Sequence, residues 1–480
     1  MAIDDRIFSR LTGDTRPTAV VVAVQLPGVT EDELASSVAE LERLAKTLGL
    51  DPIGRVLQRR GRLASGVVLG EGKLKELASW TGGTGEVPAY EKPGAKKPSR
   101  MDAETAAEII ERDDADDDDD ATDDEADESG EAPTAKAEIV LVDHDLTPTQ
   151  QLNLEKATGV DVLDRTAVIV EIFHRHAKTR EARMQVEIAR LRYLAPRLRA
   201  GAGGGDRVRG GIGGKGAGES ALELDRRKIR DRIAELKDEL GRIAGGAQTR
   251  RGRRGELPTV ALVGYTNAGK SSLMRALTSS EVYVADKLFA TLDTTVRRLV
   301  PPTEPPILVT DTVGFIKKLP HDLVASFRST LDEAKDADLL LHVIDASDPA
   351  HADQLAVTHE VLREIGADAV DTWLVLNKID RVDSLHRHAL TNKYPRALQL
   401  SAKSPEDVAA LRDKLIEHFI GALEEVELDV PWSHHRVIHE IHERATVLSE
   451  THHDDGTRVR LRAPSGVVEE LRQALTGDVR

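Results

Sequence analysis

Cysteine does not occur in this sequence of 480 residues, which excludes disulfides and thiolate metal sites and fits a reducing compartment. Apolar runs of about 18 residues, long enough to cross a bilayer, are also missing. The opening stretch MAIDDRIFSRLTGDTR lacks the charged-then-apolar layout of a secretory signal. A cytoplasmic location is the expectation. Positive charge is short overall, at a formal net of −17, yet the deficit is local. Between Asp102 and Glu131 lie 17 acids and one arginine, a net of −16, which leaves −1 for all the rest. Rich in like charge and poor in apolar residues, this segment cannot bury enough surface to offset chain entropy. It is expected to be disordered, within an insertion spanning roughly 82–136. From His174 to Gly255 the bias reverses, with 22 Lys/Arg against 10 Asp/Glu, and marks that region as the face for nucleic acid.

At about 100 to 200 residues per domain the length calls for several cores, and the patterning divides the chain into four parts. Residues 1–173 read as an α/β domain carrying the acidic insertion. In it TAVVVAVQL reads as a buried strand, Leu34, Val38, Leu41, Ala45 and Leu48 follow at helical spacing, and IVLVDHDL is a further strand. Thr147, Pro148 and Gln150 then supply an N-cap, a first-turn proline and a capping-box glutamine. Residues 174–248 hold two amphipathic helices predicted to pair as an antiparallel hairpin, with Met184, Ile188 and Leu191 on one and Ile229, Ile233 and Leu236 on the other. Joining them, 201–218 contains ten glycines with Arg207, Arg209 and Lys215, a loop with no core and a candidate for contact with RNA phosphates. Residues 257–422 alternate strands and helices, and the apolar runs VALVG, ILVTD, LLLHVID and TWLVLN predict a doubly wound, mainly parallel sheet. Residues 423–480 read as a small α/β appendage: a helix from Arg436, two strands around the Asp455-Gly456 turn and a helix from Ser465.

The third part carries the chemistry. GYTNAGKS, from Gly264 through Tyr265, Thr266, Asn267, Ala268, Gly269 and Lys270 to Ser271, is a complete phosphate-binding P-loop between a strand and the helix that Ser272 continues. Its backbone N–H groups would curl around phosphates, Lys270 would reach the β/γ oxygens and Ser271 would ligate Mg2+. DTVG, comprising Asp311, Thr312, Val313 and Gly314, ends a strand. There Asp311 would hold the metal through water and the Gly314 N–H would meet the γ-phosphate. FATLD, comprising Phe289, Ala290, Thr291, Leu292 and Asp293, offers Thr291 as a second metal hydroxyl. NKID, made of Asn377, Lys378, Ile379 and Asp380, follows another strand, and the Asp380 carboxylate can accept both N1–H and the 2-amino N–H of guanine. Ser401, Ala402 and Lys403 come next and would support the base. The order of motifs predicts a GTP site, with Lys270, Thr291 and Gly314 the candidates for catalysis. Phe315 follows Gly314, where many GTPases keep a water-orienting glutamine, so intrinsic hydrolysis is expected to be slow and completed by a partner.

GYTNAGKSSL, LFATLD, DTVGFI, LPHDLV and NKID, with VDHDLTPTQQLNLEK, DRTAVIVEIF, MQVEIARL and GESALELDRR upstream, resemble the HflX family of ribosome-associated GTPases, within the Obg-HflX superfamily. The resemblance covers nearly the whole chain apart from the acidic insertion. It implies binding to the large (50S) ribosomal subunit and its 23S rRNA, and dissociation of stalled or idle 70S ribosomes coupled to the GTP-bound state. A monomer is the separate expectation for the chain. A departure is GESALE at Gly218–Glu223, where the family usually has GETQLE. Two other readings stay open: an RNA-binding, helicase-like NTPase in ribosome assembly, for which Gly66, Gly70 and Gly72 could line a second nucleotide site, and a scaffold that binds GTP without turnover. His435, His439 and His442 share a helical face near His452 and His453, an arrangement read as a solvated polar face or as a metal site.

Overall fold

The computed structural model describes residues 16–64, 66–87, 135–198, 221–252, 257–279, 288–289, 295–317, 333–421 and 423–476. It divides into two compact units, Met1–Ile172 and Phe173–Arg480.

The first unit is a four-stranded parallel sheet with order β2-β1-β3-β4, built from β1 (Thr18–Gln25), β2 (Asp51–Arg59), β3 (Ile139–Val142) and β4 (Asp161–Asp164). β1 takes a central place because TAVVVAVQ has almost no polar side chain to turn toward water, so both its faces must be covered. Helix α1 (Glu31–Leu48) opens on a capping box between Thr30 and Glu33 and closes on Gly49 at φ +92°. Val38, Leu41, Ala45 and Leu48 are buried as the spacing predicts. Helix α2 (Glu71–Thr81) follows, and α3 (Pro148–Thr158) has the capping box of Thr147 and Gln150. Gly83–Val87 fall inside the range assigned to the insertion, yet the Gly85 N–H donates to Ala157 O and Val87 lies against the core. Gly70 caps α2 and donates its N–H to Gln58 Oε1 at 2.8 Å, the behaviour of a structural turn.

Arg165, at the start of α4 (Arg165–His176), is fully buried and bonded to the carboxylates of Glu40 and Asp143. Asp143 also accepts from Ser37 Oγ, and Asp164 accepts the N–H groups of Leu146 and Ala167. Charges this deep persist only when paired and bonded on several sides.

In the second unit α5 (Arg180–Leu194) pairs with α6 (Ala221–Gly252). Arg180 bridges to Glu239, and Arg232 bridges to Glu187 at 2.8 Å. Partner numbers that fall on one helix as they rise on the other make the pair antiparallel. Met184, Ile188, Leu191, Ile229 and Leu236 are buried along it.

Next comes a six-stranded sheet of order β10-β9-β8-β5-β7-β6, formed by β5 (Thr259–Val263), β6 (Thr295–Arg298), β7 (Leu308–Asp311), β8 (Leu339–Asp345), β9 (Thr372–Asn377) and β10 (Leu398–Gln399). All neighbours are parallel except β6 with β7. Helices α7 (Lys270–Thr278), α8 (His351–Glu364), α9 (Ser384–Lys393) and α10 (Pro405–Ile420) accompany it. Apolar clusters line both faces, one around Val260, Leu262 and Leu341, the other around Ala261, Val263 and Leu340. The chain runs from β5 toward β7 on one side and then crosses to β8 on the other, so the loop after β5 sits at a topological switch point, where open α/β sheets bind ligands.

The last part is a three-stranded antiparallel sheet of order β11-β13-β12, from β11 (Leu423–Pro431), β12 (Thr446–His453) and β13 (Gly456–Pro464). Helices α11 (His435–Arg444) and α12 (Ser465–Thr476) accompany it. The turn at Asp455-Gly456 joins two strands as expected, and β11 adds a third.

Candidate functional site

The phosphate-loop sequence adopts a conformation that only its own residue types permit. Gly264 sits at φ +145°, and a Cβ there would lie 2.1 Å from Val343 O. Gly269, at φ +96°, would put a Cβ 2.2 Å from Asn377 Nδ2. Asn267 takes the left-handed conformation that asparagine tolerates, at φ +61°. Lys270, the first residue of α7, turns back over the loop and donates from Nζ to Gly264 O and Tyr265 O, both at 2.9 Å. Burial pushes this ammonium down to about 8, against the opposing pull of Asp311, which favours the charged form. Ser271 donates its hydroxyl to Asp311 Oδ2 at 2.8 Å. A hydroxyl and a carboxylate brought together in this way are hard oxygen donors of the kind that suits Mg2+.

DTVG meets the phosphate loop along its backbone. Thr266 N–H donates to Phe315 O at 2.7 Å, and Phe315 N–H donates to Gly264 O at 3.1 Å. Gly314 is required where the two segments touch, because a Cβ on it would lie 2.9 Å from Thr266 Cγ2 and 3.0 Å from Lys270 Nζ. Thr312 is fully buried and donates its hydroxyl to Leu262 O, so its side chain serves the fold; Val313 is buried as well. Phe315 is 1% exposed and packs with Ala261, Val263 and Leu340. That ring therefore serves the core.

At the far side of the loop, Asn377 ends β9 and is buried. Its Nδ2 donates to Ala268 O at 2.8 Å, and its Oδ1 accepts the Ala402 N–H at 3.0 Å. Lys378, at φ +59°, donates to Asp345 Oδ2 at 2.8 Å. Ile379 is buried, whereas Asp380 is exposed. Ser401 Oγ donates to Asp380 Oδ1 at 2.6 Å and holds that carboxyl below its ordinary range, with weaker help from the charges of Lys403 and Arg381. Lys403 N–H in turn donates to Ser401 Oγ at 3.3 Å, and Ser401 N–H to Asp407 Oδ2 at 2.7 Å.

The structure therefore brings Gly264–Ser271, Asp311–Gly314, Asn377–Asp380 and Ser401–Lys403 to one end of one sheet. Ser272 lies half-buried in the first turn of α7, and Phe289 is buried at φ +56°. Ala290, Thr291, Leu292 and Asp293 lie outside the described residues, as do Arg207, Arg209 and Lys215. No group of three or more His, Asp or Glu suited to a metal ion occurs among the described residues, so the histidines of α11 and β12 form no such set there.

Comparison with known proteins gives the family. Family profiles described as GTP-binding GTPase N-terminal, GTP-binding GTPase Middle Region and 50S ribosome-binding GTPase match residues 35–86 with 101–174, 176–254 and 259–378, respectively. Over 459 residues the chain is 54% identical to a protein of Gluconacetobacter diazotrophicus named GTPase HflX, covering 96% of this chain and 98% of that one. The chain belongs to the HflX family of GTPases. The HflX relative of Escherichia coli is 41% identical over 327 residues, or 67% of this chain and 76% of the relative. A solved structure of a GTP-binding protein from Sulfolobus solfataricus with GDP covers 84% of this chain and 98% of its own at 22% identity, with a TM-score of 0.40.

Three contributors in this HflX chain escape a motif reading. Asp345 anchors Lys378 while accepting the N–H and Oγ–H of Ser347. Its signal is an acid ending the otherwise apolar strand LLLHVID. Asp407 orders the Ser401 turn, and its signal is the acid-rich first turn of α10. Tyr265 accepts the Lys317 N–H on its hydroxyl at 2.7 Å, a contact that no spacing rule foretells.

Proposed function

We propose that this HflX-family protein binds GTP with Mg2+ and couples the GTP-bound state to engagement of the large (50S) ribosomal subunit and dissociation of stalled or idle 70S ribosomes. The observation that carries the reading is the convergence of phosphate-loop, DTVG, NKID and SAK residues around one buried lysine, with Asp380 exposed beside them.

The chain's own groups divide the work. Lys270 and the N–H groups of Gly264–Ser271 hold the phosphates, Gly314 N–H meets the γ-phosphate, and Phe289–Asp293 complete the nucleotide's surroundings. Ser271, Asp311 and Thr291 would hold Mg2+, which neutralises charge on the β- and γ-phosphates when bound. Asp380, kept ionised by Ser401, accepts the two guanine N–H groups. A base that cannot donate both leaves polar groups unpaired and is rejected by roughly 10⁴-fold. Because Phe315 is buried in the core, its ring orients no water, and hydrolysis in isolation is slow. A partner supplies the remaining factor of about 10³ to 10⁵, or about 4 to 7 kcal/mol. That partner is the ribosome, a role supported by the description of the profile matching 259–378. Arg207, Arg209 and Lys215 contact 23S rRNA phosphates in this reading, and the protein acts as a cytoplasmic monomer.

The test is co-sedimentation with 50S and 70S particles in GTP, GDP and a non-hydrolysable GTP analogue, with subunit separation followed by light scattering. Binding in the analogue and loss in GDP is the expected pattern. Replacing 201–218 by a short Gly/Ser linker should leave GTP binding intact and abolish splitting. Equal binding in all three nucleotides, or splitting that ignores the loop, refutes the proposal.

A further inference from the structure

Thr266 is a buried phosphate-loop residue whose side-chain polar atom the arrangement above leaves unused. It is 6% exposed, and its Oγ1 is buried with no hydrogen-bond partner among the described residues. A hydroxyl placed this way costs roughly 1 to 3 kcal/mol when it stays unpaired. A valine would fill the same space without that penalty. The position is also specific. The Thr266 backbone N–H is fixed on Phe315 O, and its methyl faces Gly314. Both Thr266 Cγ2 and Lys270 Nζ lie within 3.0 Å of a Cβ built on Gly314, so hydroxyl-bearing residue, phosphate-binding ammonium and γ-phosphate-facing N–H share one corner. Phe315, next in the chain, is turned into the core and so orients no water at that corner.

We infer that the Thr266 hydroxyl acts directly on the hydrolysis of GTP, donating its proton to a γ-phosphoryl oxygen and accepting a hydrogen bond from the attacking water. A hydroxyl can do both at once, since it carries one donor and two acceptor lone pairs. In the step it assists, the water oxygen bonds to the γ-phosphorus while the bond from that phosphorus to the β,γ-bridging oxygen breaks. The electron pair of the broken bond remains on GDP, and the water proton passes to the phosphoryl group, giving inorganic phosphate. Thr266 keeps its own proton throughout. The inference rests on the reading of this loop as the GTP site and adds to it the residue that orients water.

The experiment compares Thr266→Val, which keeps the shape and loses the hydroxyl, with Thr266→Ser, which keeps the hydroxyl and loses the methyl. Single-turnover hydrolysis at saturating GTP is measured with and without ribosomes, beside the affinity for fluorescent GDP and the thermal midpoint. Thr266→Val should hydrolyse about 10²-fold more slowly, the usual cost of removing one donor from a developing charge, with GDP affinity unchanged and the midpoint equal or higher, because no unpaired hydroxyl remains. Thr266→Ser should remain close to the parent protein. If valine at 266 impairs folding, Thr266→Ala against Thr266→Ser asks the same question. A wild-type rate in Thr266→Val overturns the inference, and so does a serine variant as slow as the valine one. Loss of GDP binding in Lys270→Ala, run in parallel, checks the loop itself. If GDP binding survives that change, the site reading has failed rather than the role of Thr266.

Discussion

Lys270 makes the affinity for nucleotide depend on pH in a calculable way. Its ammonium is buried and its pKa is pushed down to about 8, while its N–H groups meet the carbonyls of Gly264 and Tyr265. Phosphate oxygens at the same spot favour the charged form and restore a value near that of an ordinary lysine. Binding therefore takes up a proton once the pH exceeds about 8, and affinity must fall as pH rises. From pH ~7.5, where the terminal phosphate is already ionised, to pH ~8.8, the charged fraction in the empty protein falls from about three quarters to about one seventh. GDP affinity should weaken about fivefold over that interval at saturating Mg2+. Fluorescence titration with a labelled GDP measures it. The nucleotide-free protein should show the opposite trend in stability. A lysine whose folded pKa is lowered leaves the unfolded chain binding more protons between about 8 and about 10.5, so stability rises through that window. An affinity that is flat or increases from pH ~7.5 to ~8.8 refutes the argument, because it would mean that Lys270 is not the buried charge the phosphates meet.

Two further outcomes follow from contacts described above. Asp380→Asn should shift preference from GTP toward xanthosine triphosphate without gain for ATP, because an amide can donate to the 2-oxo group; competition titrations with the three nucleotides check it, and full retention of GTP selectivity would remove Asp380 from the base-reading role. Arg165→Met should destabilise the first unit by about 3 to 5 kcal/mol, since Glu40 and Asp143 would be left buried without their cation; amide hydrogen exchange across β3 and β4 reads this, and unchanged protection would show that the two carboxylates do not depend on the arginine.

What could be read from the sequence was what local rules enforce. The phosphate loop was legible because its glycines are demanded by close approach, and β5, β7, β8 and β9 because a strand covered on both faces must be apolar nearly throughout. β2 was not read, since Pro52 and Gly54 speak for a loop. In the fold Gly54 leaves room for the Trp80 ring, where a Cβ would lie 2.5 Å from the indole, and that partner comes from a distant helix. β11 has a period-two signal in Val426, Leu428 and Val430, and the acids between them obscure it. The Arg165 triad was invisible for a different reason: its partners stand 125 and 22 residues away, and nothing local announces a buried arginine. Within the site, NKID and SAK were legible as strings. Their dependence on Asp345 and Asp407 was not, because each is a contact between segments that only the sheet brings together.

The side-chain amide of Asn377 bonds to two backbone atoms, one in the phosphate loop and one in the SAK turn, and this makes it the fulcrum of the site. Free energy given up at the base should therefore be felt at the phosphates through that amide, and the reverse should hold equally. A double-mutant cycle between Lys270 and Asp380 should then be non-additive although neither side chain is bonded to the other, with Asn377→Ala restoring independence. For evolution or for an engineer the consequence is the same: nucleotide identity and phosphate grip are inherited together, and a change of base preference that preserves full affinity has to begin by finding a new way to join the two loops.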